Sequence, residues 1–192
     1  MRAPATVLAV FAFASCGGSA NPAADVTPLS TPTTAPADGA SRRHAVEDCS
    51  TQSGAEFPGA FTSRANLVVG PVVLVGGAYT DAATVREFGG NKFPVLLQAG
   101  HTVTLALAPD AQRIAGLAYG PLPQGETKMG DTYRSVTFVA CGPGRSESRG
   151  GGFEVTFWSG FVLTRMPACL PLDVSIDAAP PRRAALALGA RC

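Results

Sequence analysis

The chain has 192 residues, of which 46% are hydrophobic and 15% charged, with 22 glycines and 16 prolines. A charged fraction well below the usual quarter, combined with many turn-forming residues, favours short strands joined by turns in a single domain. The net charge is only +1 and Lys and Arg form no run. The chain therefore lacks the basic surface that nucleic acid requires, and nucleic acid is not expected as a partner.

A short apolar segment, 3–14, follows one positive charge at the N-terminus. It is too short to span a bilayer as a helix and is typical of a signal peptide. The residues that follow, Phe-Ala-Ser-Cys-Gly-Gly at 13–18, resemble the lipobox of bacterial lipoproteins, with Phe at a position where Leu is usual. The resemblance implies a signal peptide over 1–15 and a lipidated Cys16. The alternative is an ordinary secretory signal cleaved after Ala20, and both interpretations predict export.

Residues 21–43 are dominated by Pro, Thr, Ala and Ser and contain no aromatic residue. Such a segment cannot bury enough apolar surface to offset the entropy lost on ordering, so a disordered spacer is predicted. The resulting organisation is a signal peptide over 1–15, a lipidated cysteine and linker over 16–43, and a folded domain over 44–192.

The domain is predicted to be all-β, an antiparallel β-sandwich of about eight strands with at most one short helix. Runs rich in Val, Leu, Phe and Thr between Gly and Pro clusters predict strands at 67–75, 93–98, 101–107, 114–119, 133–141, 153–163, 170–176 and 183–189. Residues 81–88 predict the helix, with Thr80 or Asp81 as its cap. The two residues Ala99 and Gly100 predict a hairpin between their flanking strands, and the glycine-rich segment 142–152 is expected to be a mobile loop.

The five cysteines predict two disulfides, because lipidation of Cys16 leaves an even number in the domain. The other four show no CxxC pair and no His at metal-ligand spacing, so no metal site is predicted. Loop closure favours Cys169 with Cys192, which leaves Cys49 with Cys141. The alternation of core-facing leucines opposes the first pair, since it directs Cys169 outward and Cys192 inward. A bulge or an irregular strand end is therefore required.

Signatures of common enzymes are absent from the sequence: GxSxG, HExxH, P-loop, GxGxxG and EF-hand spacings do not occur. No catalytic residue and no cofactor is therefore predicted. Of the two histidines, His44 and His101, the second lies beside a turn. It is interpreted as a surface residue, with pairing to a Ser or a carboxylate as the alternative. Glu47 and Asp48 are adjacent, so they face opposite ways on a strand and are expected to be the solvated start of the domain.

The only tryptophan lies in the strand predicted at 153–163. Strict alternation sends Phe153, Val155 and Phe157 to the core and leaves Trp158 on the other face with Glu154 and Thr156. An exposed Trp beside polar groups predicts a surface that stacks on a sugar or anchors a protein partner. The alternative, which is favoured, is a bulge at 159–160 that turns Trp158 into the core.

The sequence thus predicts a non-catalytic cell-envelope or secreted module with a binding or structural role. It would be held at the outer face of the membrane by a lipid anchor, or released. A cell-wall glycan or an envelope protein is the expected partner. Two alternatives remain open: an accessory subunit of an envelope complex, and a secreted hydrolase without a short motif.

Overall fold

A computed structural model of the chain describes residues 42–121 and 126–192. The predicted signal peptide, the lipidation site Cys16 and all but the last two residues of the predicted linker lie outside the described residues. The first strand begins at Arg42, two residues before the predicted start of the domain. The described part of the chain is all-β with one short α-helix, as the sequence predicts.

Fourteen strands and the helix form this part of the chain. In chain order they are β1 (Arg42–Glu47), β2 (Glu56–Phe57), β3 (Leu67–Val69), β4 (Val72–Leu74), α1 (Ala82–Phe88), β5 (Gly90–Lys92), β6 (Val95–Gln98), β7 (Thr102–Leu107), β8 (Ala115–Tyr119), β9 (Tyr133–Val139), β10 (Ser148–Gly150), β11 (Phe153–Trp158), β12 (Gly160–Thr164), β13 (Ala168–Ile176) and β14 (Arg182–Leu188). Short 3₁₀ turns cover Cys49–Thr51, Ala111–Arg113 and Met129–Asp131.

The strands form a sandwich of two sheets. Sheet A has the order β14-β13-β7-β9-β8-β12-β5, with β1 also paired to β9, and sheet B has the order β2-β10-β11-β6-β4-β3. Most pairs are antiparallel, whereas β1 with β9 and β10 with β2 are parallel. The predicted helix is confirmed, and the Asp81 carboxylate caps it by accepting from the amides of Ala83 and Thr84.

The main core lies between the two sheets. In β7 the buried residues Val103, Leu105 and Leu107 alternate with partly exposed ones, which confirms the predicted faces of that strand. A second cluster covers the other face of sheet B, where Val155 and Phe157 pack with residues of the segment 55–61. Sheet B is therefore apolar on both faces, so alternation alone cannot assign its side chains to one core.

Two of the predicted strand connections are wrong. The turn at Ala99 and Gly100 does not join a hairpin, because β6 pairs within sheet B and β7 within sheet A. The amides of these two turn residues donate to the carbonyl oxygens of Glu154 in β11 and of Cys141 just after β9, so the turn is a corner between the sheets. The strand predicted at 67–75 is instead a hairpin of β3 and β4, with Gly70 at φ +58° in its turn.

The two disulfides join Cys49 to Cys141 and Cys169 to Cys192, the pairs that loop closure favours. The opposed strand parity is resolved by an irregular end: β14 stops at Leu188, and Gly189 follows with φ +77°. The chain then leaves the strand register, and both Cys169 and Cys192 are exposed. Disulfides fit an oxidising, extracytoplasmic compartment.

Candidate functional site

Trp158 is buried, with 1% of its surface exposed. The prediction that it stacks on a sugar or a protein partner is therefore wrong, and the alternative, in which the side chain turns into the core, is confirmed. Its ring packs on Phe138 in the main core, with 5.2 Å between centroids. The cause lies at Ser159, where the chain passes from β11 in sheet B to β12 in sheet A. Strict alternation fails because the face of β11 that the sequence predicts to be exposed to solvent is the inner face of sheet B.

The two polar neighbours assigned to that surface hold residues 141–146 in place. The Glu154 carboxylate accepts from the amides of Gly144 at 2.9 Å and Ser146 at 3.0 Å, and these bonds lower its pKa. Thr156 is fully buried, and its hydroxyl accepts from the amide of Cys141 at 2.7 Å. The first part of the segment 142–152, which the sequence predicts to be a mobile loop, is thus tied down, and the segment itself contains β10.

The indole N–H of Trp158 holds a tight turn just after β1. It donates to the carbonyl oxygen of Asp48 at 3.0 Å and to the Thr51 hydroxyl at 3.2 Å. Asp48 also caps this turn, since its Oδ1 accepts from the Ser50 hydroxyl at 2.6 Å and the Ser50 amide at 2.8 Å. These bonds lower the pKa of the Asp48 carboxyl. With Cys49 bonded to Cys141, the turn is fixed to the sandwich at several points.

Glu47 lies at the end of β1 and is only 4% exposed, which contradicts its predicted place in a solvated segment. It is buried because β1 pairs in parallel with β9, placing Glu47 opposite the core residue Phe138. The backbone of Gly120 packs so closely on the carboxyl group that a Cβ there would collide with Oε1 of Glu47. Gly120 also has φ +91°, a conformation that favours glycine.

A surface cavity of about 350 Å³ opens beside this carboxyl group, and we call it the Glu47 pocket. It is lined by Glu47, Thr51, Ser53, Gly120, Pro121, Trp158 and Ser159. Burial raises the pKa of Glu47, a hydrogen bond from Thr51 opposes that shift, and the charge of Asp48 adds to it. The pocket therefore combines one buried acid with three hydroxyl groups, a set able to bind a cation or a polar ligand.

The fold brings His101 next to a carboxylate. Such a pair is the alternative to a plain surface histidine that the sequence leaves open. Its Nδ1 lies 2.7 Å from Oδ2 of Asp177, and Oδ1 of Asp177 accepts from the Thr102 amide at 2.9 Å. The hydrogen bond from the Thr102 amide, and then the one with His101, lower the pKa of Asp177. Both side chains are well exposed, at 39% and 49%. The second histidine, His44, is bonded to Ser135 at 2.9 Å.

A larger cavity of about 490 Å³ lies next to the edge strand β5, with Phe88, Lys92 and Phe161 among its lining residues. Its walls are mainly apolar, and no buried charge faces it among the residues described. Residues 42–121 and 126–192 contain no group of three or more His, Cys, Asp or Glu side chains that could hold a metal ion. Of these two cavities in the described part of the chain, the Glu47 pocket has the more specific chemistry.

Comparison of the chain with models of protein families, with curated proteins and with solved structures found no match. In the part of the chain that the structure describes, no helix has the length and apolarity needed to cross a membrane. No sequence pattern marks Glu47 as buried, because Ala45 is the only apolar residue on its face of β1. Only the long-range pairing with β9 reveals that the face is covered.

Proposed function

We propose that this protein is an exported, non-catalytic binding module of the cell envelope, and that the Glu47 pocket holds a small polar group of its ligand. The observation that carries this proposal is the buried carboxyl of Glu47 at the wall of a surface cavity. Burying a carboxyl costs free energy unless another group compensates it, so such a group is retained where it is used.

The surroundings of the pocket support binding rather than chemistry. Its floor and one wall are rigid, because the turn after β1 is held by a disulfide and by the Trp158 indole. A rigid wall lowers the entropy that a ligand loses on binding. The hydroxyl groups of Thr51, Ser53 and Ser159 supply donors and acceptors that fix the orientation of a polar ligand.

Export and anchoring belong to the same proposal. The disulfides fit an extracytoplasmic compartment. The lipobox-like residues around Cys16 support a lipid anchor, and the Pro- and Thr-rich linker supports a spacer between anchor and domain. Cell-wall glycan and envelope protein are the proposed partners. Replacing Cys16 with Ser tests the anchor: the variant should leave the membrane fraction or fail to be processed, and unchanged fractionation would contradict lipidation.

Trp158 provides the test of the pocket, because it is the only tryptophan and lines the cavity. Soluble cell-wall glycan fragments should change its emission in a saturable way. Glu47→Gln should weaken that binding at least about tenfold, as expected for loss of a charged hydrogen bond. Glu56→Gln removes an exposed acid from β2 and is the matched control. Fragments that bind equally well to the Glu47→Gln protein would exclude the pocket as their site.

A secreted hydrolase is the second candidate function, and the His101–Asp177 pair is the observation that favours it. Such a pair orients a histidine for general base catalysis. A nucleophile or a bound water would also be needed at the Nε2 side of His101. His101→Ala should abolish any ester or peptide hydrolysis by the purified protein. Activity that persists in this variant would remove the pair from consideration.

A further inference from the structure

Among the side chains that the structure describes, no cation pairs with the Glu47 carboxylate. The described residues contain two ion pairs, His101 with Asp177 and Arg183 with Asp173, and neither involves Glu47. The charged neighbour that influences Glu47 is Asp48, which carries the same sign. An ionised carboxylate has about four acceptor positions, whereas the polar side chain bonded to Glu47 is Thr51. Because Glu47 lines the cavity, its carboxylate offers acceptor positions to a ligand there.

The shape of the pocket limits what can compensate this charge. On one side the Gly120 backbone lies against the carboxyl group, so position 120 has no room for a side chain. On the open side Thr51 and Ser159 are exposed and present their hydroxyl groups. An ammonium group has three donors and no acceptor. It matches one carboxylate flanked by hydroxyl oxygens.

Other ligand classes fit less well. An anion would be repelled by Glu47 and Asp48 together. A neutral polyol can donate to the carboxylate but leaves its charge uncompensated in a buried site. Stacking of an apolar ring on Trp158 is excluded, because the indole is covered and its N–H is already bonded.

We infer that the Glu47 pocket binds a protonated primary amine, carried by an amino sugar or by a lysine-type side chain. This inference rests on the proposed binding function and narrows its ligand class. The Glu47 carboxylate pairs with the ammonium group, and the Ser159 hydroxyl and the remaining lone pair of the Thr51 hydroxyl accept its other hydrogens.

The test compares probes that differ only in the ammonium group, near pH 7 and with the full exported chain. Glucosamine is matched with glucose, and Nα-acetyl-lysine with its Nε-acetylated form. The amine of each pair should bind at least about tenfold more tightly, read from Trp158 emission and calorimetry. Whichever amine binds better identifies the source of the group, sugar or peptide.

Two variants and one spectroscopic signal make the result specific. Glu47→Gln should remove the preference for the amine, and Glu56→Gln should keep it. The carboxyl carbon of Glu47, followed by NMR, should titrate at lower pH once the amine is bound, because a cation favours the ionised form. This signal is measured in the native protein and does not depend on how well a variant folds.

The outcomes separate the two proposals. Neutral probes that bind the pocket as tightly as the amines would overturn the inference but leave the binding function standing. An amine that binds without moving the Glu47 titration would also overturn it, since the site would lie elsewhere. If neither kind of probe binds at the pocket, while glycan fragments do not bind there either, both proposals fail.

Discussion

Glu47 comes just before Cys49, and Glu154 holds the segment that follows Cys141, so both acids act next to the Cys49–Cys141 disulfide, yet their environments are opposite. Glu154 is half-buried, and its carboxylate accepts hydrogen bonds from the backbone amides of Gly144 and Ser146, which lower its pKa. Glu47 is buried beside a cavity, and its pKa is raised. A carboxylate surrounded by donors is part of the scaffold, whereas a buried one with unused acceptors is available to a ligand. The sequence predicts instead a solvated Glu47 and places Glu154 on a possible binding face.

The largest expected effect on both segments is loss of the disulfide that joins them. Cys49 and Cys141 are 92 residues apart, against 23 for the other pair. In the chain-entropy model, removing the Cys49–Cys141 disulfide costs about 4 to 5 kcal/mol, and removing Cys169–Cys192 costs about 3 kcal/mol. Cys49→Ala with Cys141→Ala should therefore lower the free energy of unfolding, measured in denaturant, more than Cys169→Ala with Cys192→Ala. It should also weaken binding at the Glu47 pocket. The other double variant serves as the control, and equal losses of affinity would contradict a local role.

Replacing Trp158 tests whether the pocket wall depends on the core beneath it. Trp158→Ala should cost about 3 to 5 kcal/mol of stability, as a large buried cavity does. Trp158→Phe keeps most of the packing but loses the indole bonds to the turn, and should cost about 1 kcal/mol. Denaturant unfolding measures both. In the native protein the emission should be blue and shielded from iodide, and a red, easily quenched spectrum would contradict burial.

The limits of sequence-based prediction can be traced to particular residues. Alternation assigned β7 correctly, because that strand has one covered face and stays in one sheet. It failed for Trp158, where the chain changes sheets at Ser159 and both faces of sheet B are covered. The Glu47 pocket was not predicted because it depends on pairing between residues about 90 positions apart in sequence. Local patterns predict the helix, the disulfides and most of the strands, though not β1, β2, β5 or β10. The burial of a single acid depends on which strands become neighbours.

The pH dependence of stability should separate the two acids by sign. The pKa of Glu47 is raised above its ordinary 4.5 in the folded protein. Its contribution is therefore fully present below pH 4.5 and is lost as pH rises through the folded-state value. Glu47→Gln should remove this loss, so the variant should be relatively more stable than the parent on the alkaline side. Thermal unfolding across this range measures the effect, and parallel curves for parent and variant would contradict a raised pKa.

The smallest effect is expected for Glu154, whose side chain is only half-buried, and it should have the opposite sign. Its pKa is lowered, first by the bonds from the amides of Gly144 and Ser146, so its contribution is present above the ordinary 4.5 and is lost as pH falls through the folded-state value. Glu154→Gln should remove this acid-side loss and speed hydrogen exchange at the two amides, because a neutral amide oxygen accepts more weakly than a carboxylate. Glu147→Gln is the matched control, as it removes an exposed acid from the same segment.

Ligand affinity should be unchanged in both variants, since neither residue lines the Glu47 pocket. A loss of affinity in Glu154→Gln would show that the segment and the pocket are coupled, and the two acids could no longer be assigned separate roles.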